Sequence, residues 1–314
     1  MINLKNNKNQ KINRAKFVEI LFYTFPLSFI IGNLILSIHL LLFIVTSLLF
    51  INKNRLSFRF DNSYWLLIIF FSYLFLSTAI QFQNNELLNE KIQNWSSKDN
   101  PIFKSFILVR FLILIFIIDT LFFNKILDLK KLFLFSLICT TFVSIDIIFQ
   151  YITSFDLLGN KGFEKWNSGP FGDERIAGSY LKNFSFLSFF YIFVKVKNKN
   201  SINLLLIFFI PLHLLGTLLS GNRMPLILFL FGCVLIILLI KNLRLIMSLS
   251  LIIFLSIFSI LSKNDENIRN SYGSFFAEIN ILKLIKTKTV NISNEKREVK
   301  KNEEVYIEEK DNIK

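Results

Sequence analysis

Two arginines mark the places where this chain could do chemistry. Arg175 closes the polar island Asn167-Ser168-Gly169-Pro170-Phe171-Gly172-Asp173-Glu174-Arg175, and Arg223 lies in Ser220-Gly221-Asn222-Arg223-Met224-Pro225. A guanidinium is a permanent cation with a planar fork of N–H donors, which suits it to a phosphate or diphosphate. Glycine and serine beside each arginine let a ligand come close to the backbone. Asp146, Asp173, Ser220 and Gly221 are the candidate supporting residues, and no side chain is singled out as catalytic. One arginine in such a turn reads as an interface anchor. Two on the same side read together as a cationic site for a lipid diphosphate.

The elements that must position these islands are apolar. Of 314 residues 53% are hydrophobic, 38 are phenylalanine, and the mean hydropathy is +0.52. Runs of about twenty apolar residues point to an integral membrane protein, and a helix bundle satisfies the backbone within lipid. The expected fold is therefore all-α, a polytopic transmembrane helix bundle of about nine spans. The net charge of +14 would suggest nucleic acid in a soluble protein. Here the lysines gather between apolar runs, the positive-inside pattern, so the expected partner is membrane and not nucleic acid.

The basic stretch 1–16 is expected in the cytoplasm, and the first span to serve as the insertion signal without a cleaved leader. Spans are expected at 17–32 and 34–51 around the Gly32-Asn33 turn, then at 64–81, 101–123, 132–150, 176–194, 203–219, 226–240 and 245–261. This puts external loops near 82–100, 151–175 and 220–225. Residues 262–314 form a polar tail whose lysines fall on the outer side, against a rule that governs long segments weakly. Within it Phe275, Phe276, Ile279, Leu282 and Ile285 share one helical stripe, so 272–287 reads as a surface-lying amphipathic helix. The remainder of the tail reads as disordered.

Other polar residues inside the spans have plain readings. Arg110 and Asp119 lie within a few turns of span ends and can snorkel to the interfaces. Asp146 faces the same surface as the islands, and structural and functional roles for it stay open. His39 and His213 read as hydrogen-bonded core residues. Cys139 and Cys233 read as small buried hydrophobes, not a disulfide. No metal-ligand spacing, P-loop, dinucleotide fingerprint or nucleophile elbow is present, which argues against a nucleotide-driven transporter.

The turn Ser220-Gly221-Asn222-Arg223, between two apolar spans, resembles the Ser-Gly-x-Arg turn of the O-antigen ligase and O-antigen polymerase family. Gly169-Pro170-Phe171-Gly172-Asp173, followed by Ala177-Gly178-Ser179-Tyr180-Leu181, resembles that family's loop before the corresponding earlier span. The resemblance covers roughly residues 17–275. It implies a glycosyltransferase of the bacterial inner membrane, acting in lipopolysaccharide biosynthesis without metal or other cofactor. Such a ligase or polymerase moves a glycan from a polyprenyl-diphosphate carrier to a lipid A-core or glycan acceptor at the periplasmic face. Arg175 and Arg223 would then hold the diphosphate. Family members continue with a large external loop bearing a histidine and a further arginine, which this sequence lacks. A lipid-linked sugar flippase, or a relative without its C-terminal part and without turnover, stays open beside the enzyme.

Overall fold

A computed structural model describes residues 2–54, 56–58, 61–84, 101–163, 166–195 and 199–278. It is all-helical, and no strand forms among the described residues. The chain divides into two compact units, 1–253 and 254–314.

The first unit opens with α1 (Ile2–Tyr23) and α2 (Phe25–Ile31). The break between them coincides with Pro26, which has no N–H to donate and sits in the first turn of the new helix. The Gly32 turn leads into α3 (Asn33–Asn54), then α4 (Asn62–Asn84), α5 (Pro101–Phe123) and α6 (Leu129–Thr153). After a long connection come α7 (Ala177–Lys195), α8 (Lys199–Leu219), α9 (Arg223–Leu239) and the start of α10 (Arg244–Asn264). From α3 onward these helices match the expected spans to within a few residues, but the span expected at 17–32 is broken at Thr24 and its first helix already begins at Ile2. Five segments are long and apolar enough to cross a membrane among the described residues: Asn33–Asn54, Asn62–Ile80, Leu129–Thr153, Ser201–Leu219 and Lys241–Asn264.

Side-chain exposure agrees with lipid around these helices. Leu34, Leu41 and Leu49 on α3, and Leu66 and Ile69 on α4, are each more than half exposed. A water-facing surface does not carry apolar area in such stripes. The interior is the reverse in character. Val18, Phe22, Phe43, Phe50, Ile117 and Leu121 knit α1, α3 and α5 together. The packed trio α6, α7 and α8 buries small polar residues: Ser136, Thr140 and Ser144; Ser185 and Ser188; Thr217. Thr140 and Ser188 share a hydrogen bond of 2.9 Å. Small residues let helices approach closely where lipid supplies no hydrophobic drive.

Hydrogen bonds sort the connections by end. At one end Asn33 donates through Nδ2 to Glu174 at 3.0 Å, so the Gly32 turn lies beside the loop before α7. At the other end Asn124 donates to the Ser57 carbonyl at 3.1 Å, and Lys131 pairs with Glu19 at 2.8 Å. These bonds set the Gly32 turn beside the loop before α7, and the connection at Ser57 beside the one at Asn124. The 82–100 loop falls mostly outside the described residues.

In the second unit the amphipathic helix begins earlier than expected. It is α11 (Glu266–Glu278), where 272–287 was expected. Asp265 is the reason: its Oδ1 accepts from the backbone N–H of Asn267 at 2.8 Å and of Ile268 at 3.3 Å, a side-chain N-cap. Tyr272 packs edge-on to Phe258 at 5.8 Å. Ile279, Leu282, Ile285 and the rest of the tail lie outside the described residues.

Candidate functional site

The site is assembled on the last turns of α6. Its chain continues past the expected limit at Gln150 to Thr153, where Ser154 in the left-handed region ends the helix. The connection to α7 does not leave into solvent but folds back along α6. Asp146 Oδ1 accepts from the Leu157 N–H at 2.8 Å. Gln150 works in both directions, accepting from Gly169 N–H at 2.8 Å and donating to the Asn160 carbonyl at 3.3 Å. Asp156 braces the turn between, accepting from Leu158, Asn160 and the Asn160 side chain. The loop is thus built, not draped.

Gly169-Pro170-Phe171, the centre of the first island, is a buried 3-10 turn. Gly169 has φ of 56°, and a Cβ there would stand 2.9 Å from Ile147 Cγ1. Only glycine allows both that backbone and that approach. Phe171 packs on Tyr180 at 5.3 Å, and Tyr180 donates to the Pro26 carbonyl at 3.1 Å. This part of the island is core, which leaves Asp173, Glu174 and Arg175 as its exposed rim.

The second island is shorter than expected. Residues 223–225 form the first turn of α9, so the connection is only Ser220–Asn222. Pro225 is compatible with that first turn, since its missing N–H would have no partner there. Ser220 donates to the Thr217 carbonyl at 2.7 Å and Gly221 turns the chain with φ of 73°. Both serve the turn itself.

The two islands meet. Asn222 donates through Nδ2 to the Arg175 carbonyl at 2.9 Å, and Asn167 donates through its backbone and side chain to the Leu219 carbonyl. Gly178 fits beneath this junction: a Cβ there would lie 2.5 Å from Ser220 Oγ and 3.1 Å from Asn222 Cβ. Arg175 is exposed and sits over Trp166, its Cζ 3.2 Å from the ring centroid. Such stacking contributes about 0.5–2 kcal/mol and holds the guanidinium in one place. Arg223 is half-buried and makes no ion pair among the described residues. Among the described residues no side chain caps α9; Asn222 stands at its N-cap position and donates through Nδ2 to the Arg175 carbonyl.

Trp166, Asn222 and Gln150 were not singled out in the sequence. Asn222 sat inside the quoted motif; Trp166 and Gln150 carried no local pattern that set them apart.

Elsewhere the plain readings hold for His39 and for the two cysteines. Tyr64 donates to Asp119 at 2.5 Å, and His39 Nε2 lies 2.8 Å from the Leu21 carbonyl. Cys139 and Cys233 are free and buried. Arg110 rests on Phe111 with Cζ 5.0 Å from the ring. His213 is the correction. It is fully buried, stacked on Phe189 at 5.6 Å, and neither ring nitrogen has a hydrogen-bond partner. Aromatic packing, not hydrogen bonding, holds it.

Asp146 is a loop anchor with a direct test. Removing one partner of a buried hydrogen bond costs about 1–3 kcal/mol. Asp146→Ala should open the loop and speed tryptic cleavage after the exposed Lys161 by roughly ten-fold or more, because cleavage tracks local opening. Asp146→Asn keeps an acceptor oxygen and should cleave near the wild-type rate. Equal rates for all three would remove Asp146 from this role.

Comparison of the chain with protein-family models, with curated proteins and with solved structures finds no match.

Proposed function

We propose that this chain is a glycosyltransferase of the O-antigen ligase or polymerase type. On this reading it crosses the bacterial inner membrane nine times, with its N-terminus in the cytoplasm. The observation that carries the reading is the Asn222–Arg175 hydrogen bond, which ties the two arginine-bearing turns at one end of the helices. An arginine grips phosphate through paired N–H donors. Two of them beside the uncapped start of α9 offer a diphosphate cation charge and backbone N–H groups together.

The chemistry follows from that placement. The bond between sugar C1 and the diphosphate oxygen breaks as the acceptor hydroxyl forms a new bond from the opposite face, with inversion, and the hydroxyl's proton passes to the released diphosphate. Negative charge grows on the leaving diphosphate, and Arg175 and Arg223 stabilise it where it develops. Trp166 holds Arg175 ready, so less freedom is lost on binding. Asp173 stands on the exposed rim of the first island.

The test is reconstitution of the full chain in proteoliposomes with a fluorescent polyprenyl-diphosphate oligosaccharide and a glycolipid acceptor. The expected result is oligosaccharide on the acceptor and free polyprenyl diphosphate. Oligosaccharide carried across the bilayer without transfer would replace this reading with a flippase. Neither transfer nor passage would leave a non-catalytic relative.

A further inference from the structure

A second cationic feature lies at the other end of α3 from the arginine turns. A half-open groove of about 460 Å³ runs between α1 and the last turns of α3. That volume is within the roughly 300–1,000 Å³ of small-ligand sites. Phe17, Leu49 and Phe50 form its wall; Arg14, Asn52 and Lys53 form its rim. Polar and apolar linings are therefore separated along the helix axes. Lys53 follows Leu49 by one turn, and Arg14 precedes Phe17 by three residues, so each cation stands roughly 5 Å beyond the apolar wall.

Arg14 and Lys53 form no ion pair among the described residues, and Glu19, the acid farther along α1, is held by Lys131 at 2.8 Å. Thr46, deeper in the groove, spends its hydroxyl on its own helix, donating to the Leu42 carbonyl at 2.7 Å. The wall thus asks for hydrocarbon and the rim for an anion. A soluble phosphate would satisfy only the rim. A phospholipid satisfies both, with its phosphate at the depth where the basic residues sit.

We propose that this groove holds one acidic phospholipid, its phosphate between Arg14 and Lys53 and an acyl chain along Phe17 and Leu49. The inference goes beyond the glycosyltransferase reading and stands without it, requiring only that the helices lie in a bilayer.

Native mass spectrometry of the full chain, released from nanodiscs of equal phosphatidylglycerol and phosphatidylcholine, tests it. Wild type should retain phosphatidylglycerol over phosphatidylcholine by roughly twenty-fold, about five-fold for each cation. Arg14→Gln and Lys53→Gln should each lose about five-fold, and the double variant should show almost no preference. Lys16→Gln removes an exposed cation off the groove and should leave the preference nearly intact. Leu49→Trp should lower retention of both lipids by filling the wall. An excess of inorganic phosphate should not displace the adduct. The proposal is overturned by equal retention in wild type, by a preference that survives the double variant, by a matching loss in Lys16→Gln, or by displacement with phosphate alone.

Discussion

Arg223→Ala should weaken binding of a polyprenyl diphosphate by about 10²-fold, and Arg175→Ala by a similar factor, if the two guanidinium groups hold one diphosphate. The pair should also be coupled. When both residues grip the same group, the double variant loses less or more than the sum of the singles by roughly 0.5–3 kcal/mol. Independent anchors would give plain additivity. Arg223→Lys keeps the charge and loses the fork, so it should recover only part of the affinity. Trp166→Ala leaves Arg175 in place and removes its platform, at about 0.5–2 kcal/mol. Fluorescence titration of the detergent-solubilised protein reads all of these. Unchanged binding in both single alanine variants would end the diphosphate reading, whatever the membrane topology.

Much of the helical layout was legible because lipid imposes it. Pro101–Phe123 was expected and found with the same limits. Basic clusters and breaks set the later ones to within a few residues, since a span needs a fixed length and its ends need water; the span expected at 17–32 is instead split at Thr24. The misses are local. Helix ends ran longer where capping extended them: Asp128 accepts from Lys130 N–H at 2.9 Å, so α6 starts three residues before the apolar run expected at Leu132. Asp265 does the same for α11. Both are acid caps read past in favour of hydropathy.

The site was legible in its arginines but not in its construction. Periodicity cannot show that Gly169-Pro170-Phe171 is buried, because a polar motif with glycine and proline reads as an exposed loop. What buries it is tertiary: Gln150 and Asp146, one turn apart on α6, draw the loop inward. The Arg175–Trp166 stack and the Asn222 tether join residues 9 and 47 positions apart, and no local pattern encodes either. His213 failed for a similar reason. A histidine's partner is set largely by the neighbouring helices, and here α7 supplies Phe189 while Phe209 on its own helix flanks the other side.

Gly178 is where the junction of the two turns can be broken without touching an arginine. Its Cα faces the Ser220–Asn222 turn so closely that an added Cβ would meet Ser220 Oγ at 2.5 Å. That oxygen is not free to swing away, because it donates to the Thr217 carbonyl in a buried setting. Gly178→Ala should therefore destabilise by about 1–3 kcal/mol despite alanine's better helix propensity. Gly178→Val should go further, pushing Asn222 off Arg175 and lowering diphosphate affinity as much as losing an arginine. The decisive variant is Gly178→Ala with Ser220→Ala. Ser220→Ala alone should cost about 1 kcal/mol for the lost hydrogen bond. In the double variant the crowding oxygen is gone, only Asn222 Cβ at 3.1 Å remains to yield by a few tenths of an ångström, and stability should exceed the additive expectation by at least about 1 kcal/mol. Denaturation midpoints in detergent measure this. Strict additivity would mean that the turn gives way freely, and the close seating that holds the two arginine-bearing segments together would be lost as an explanation.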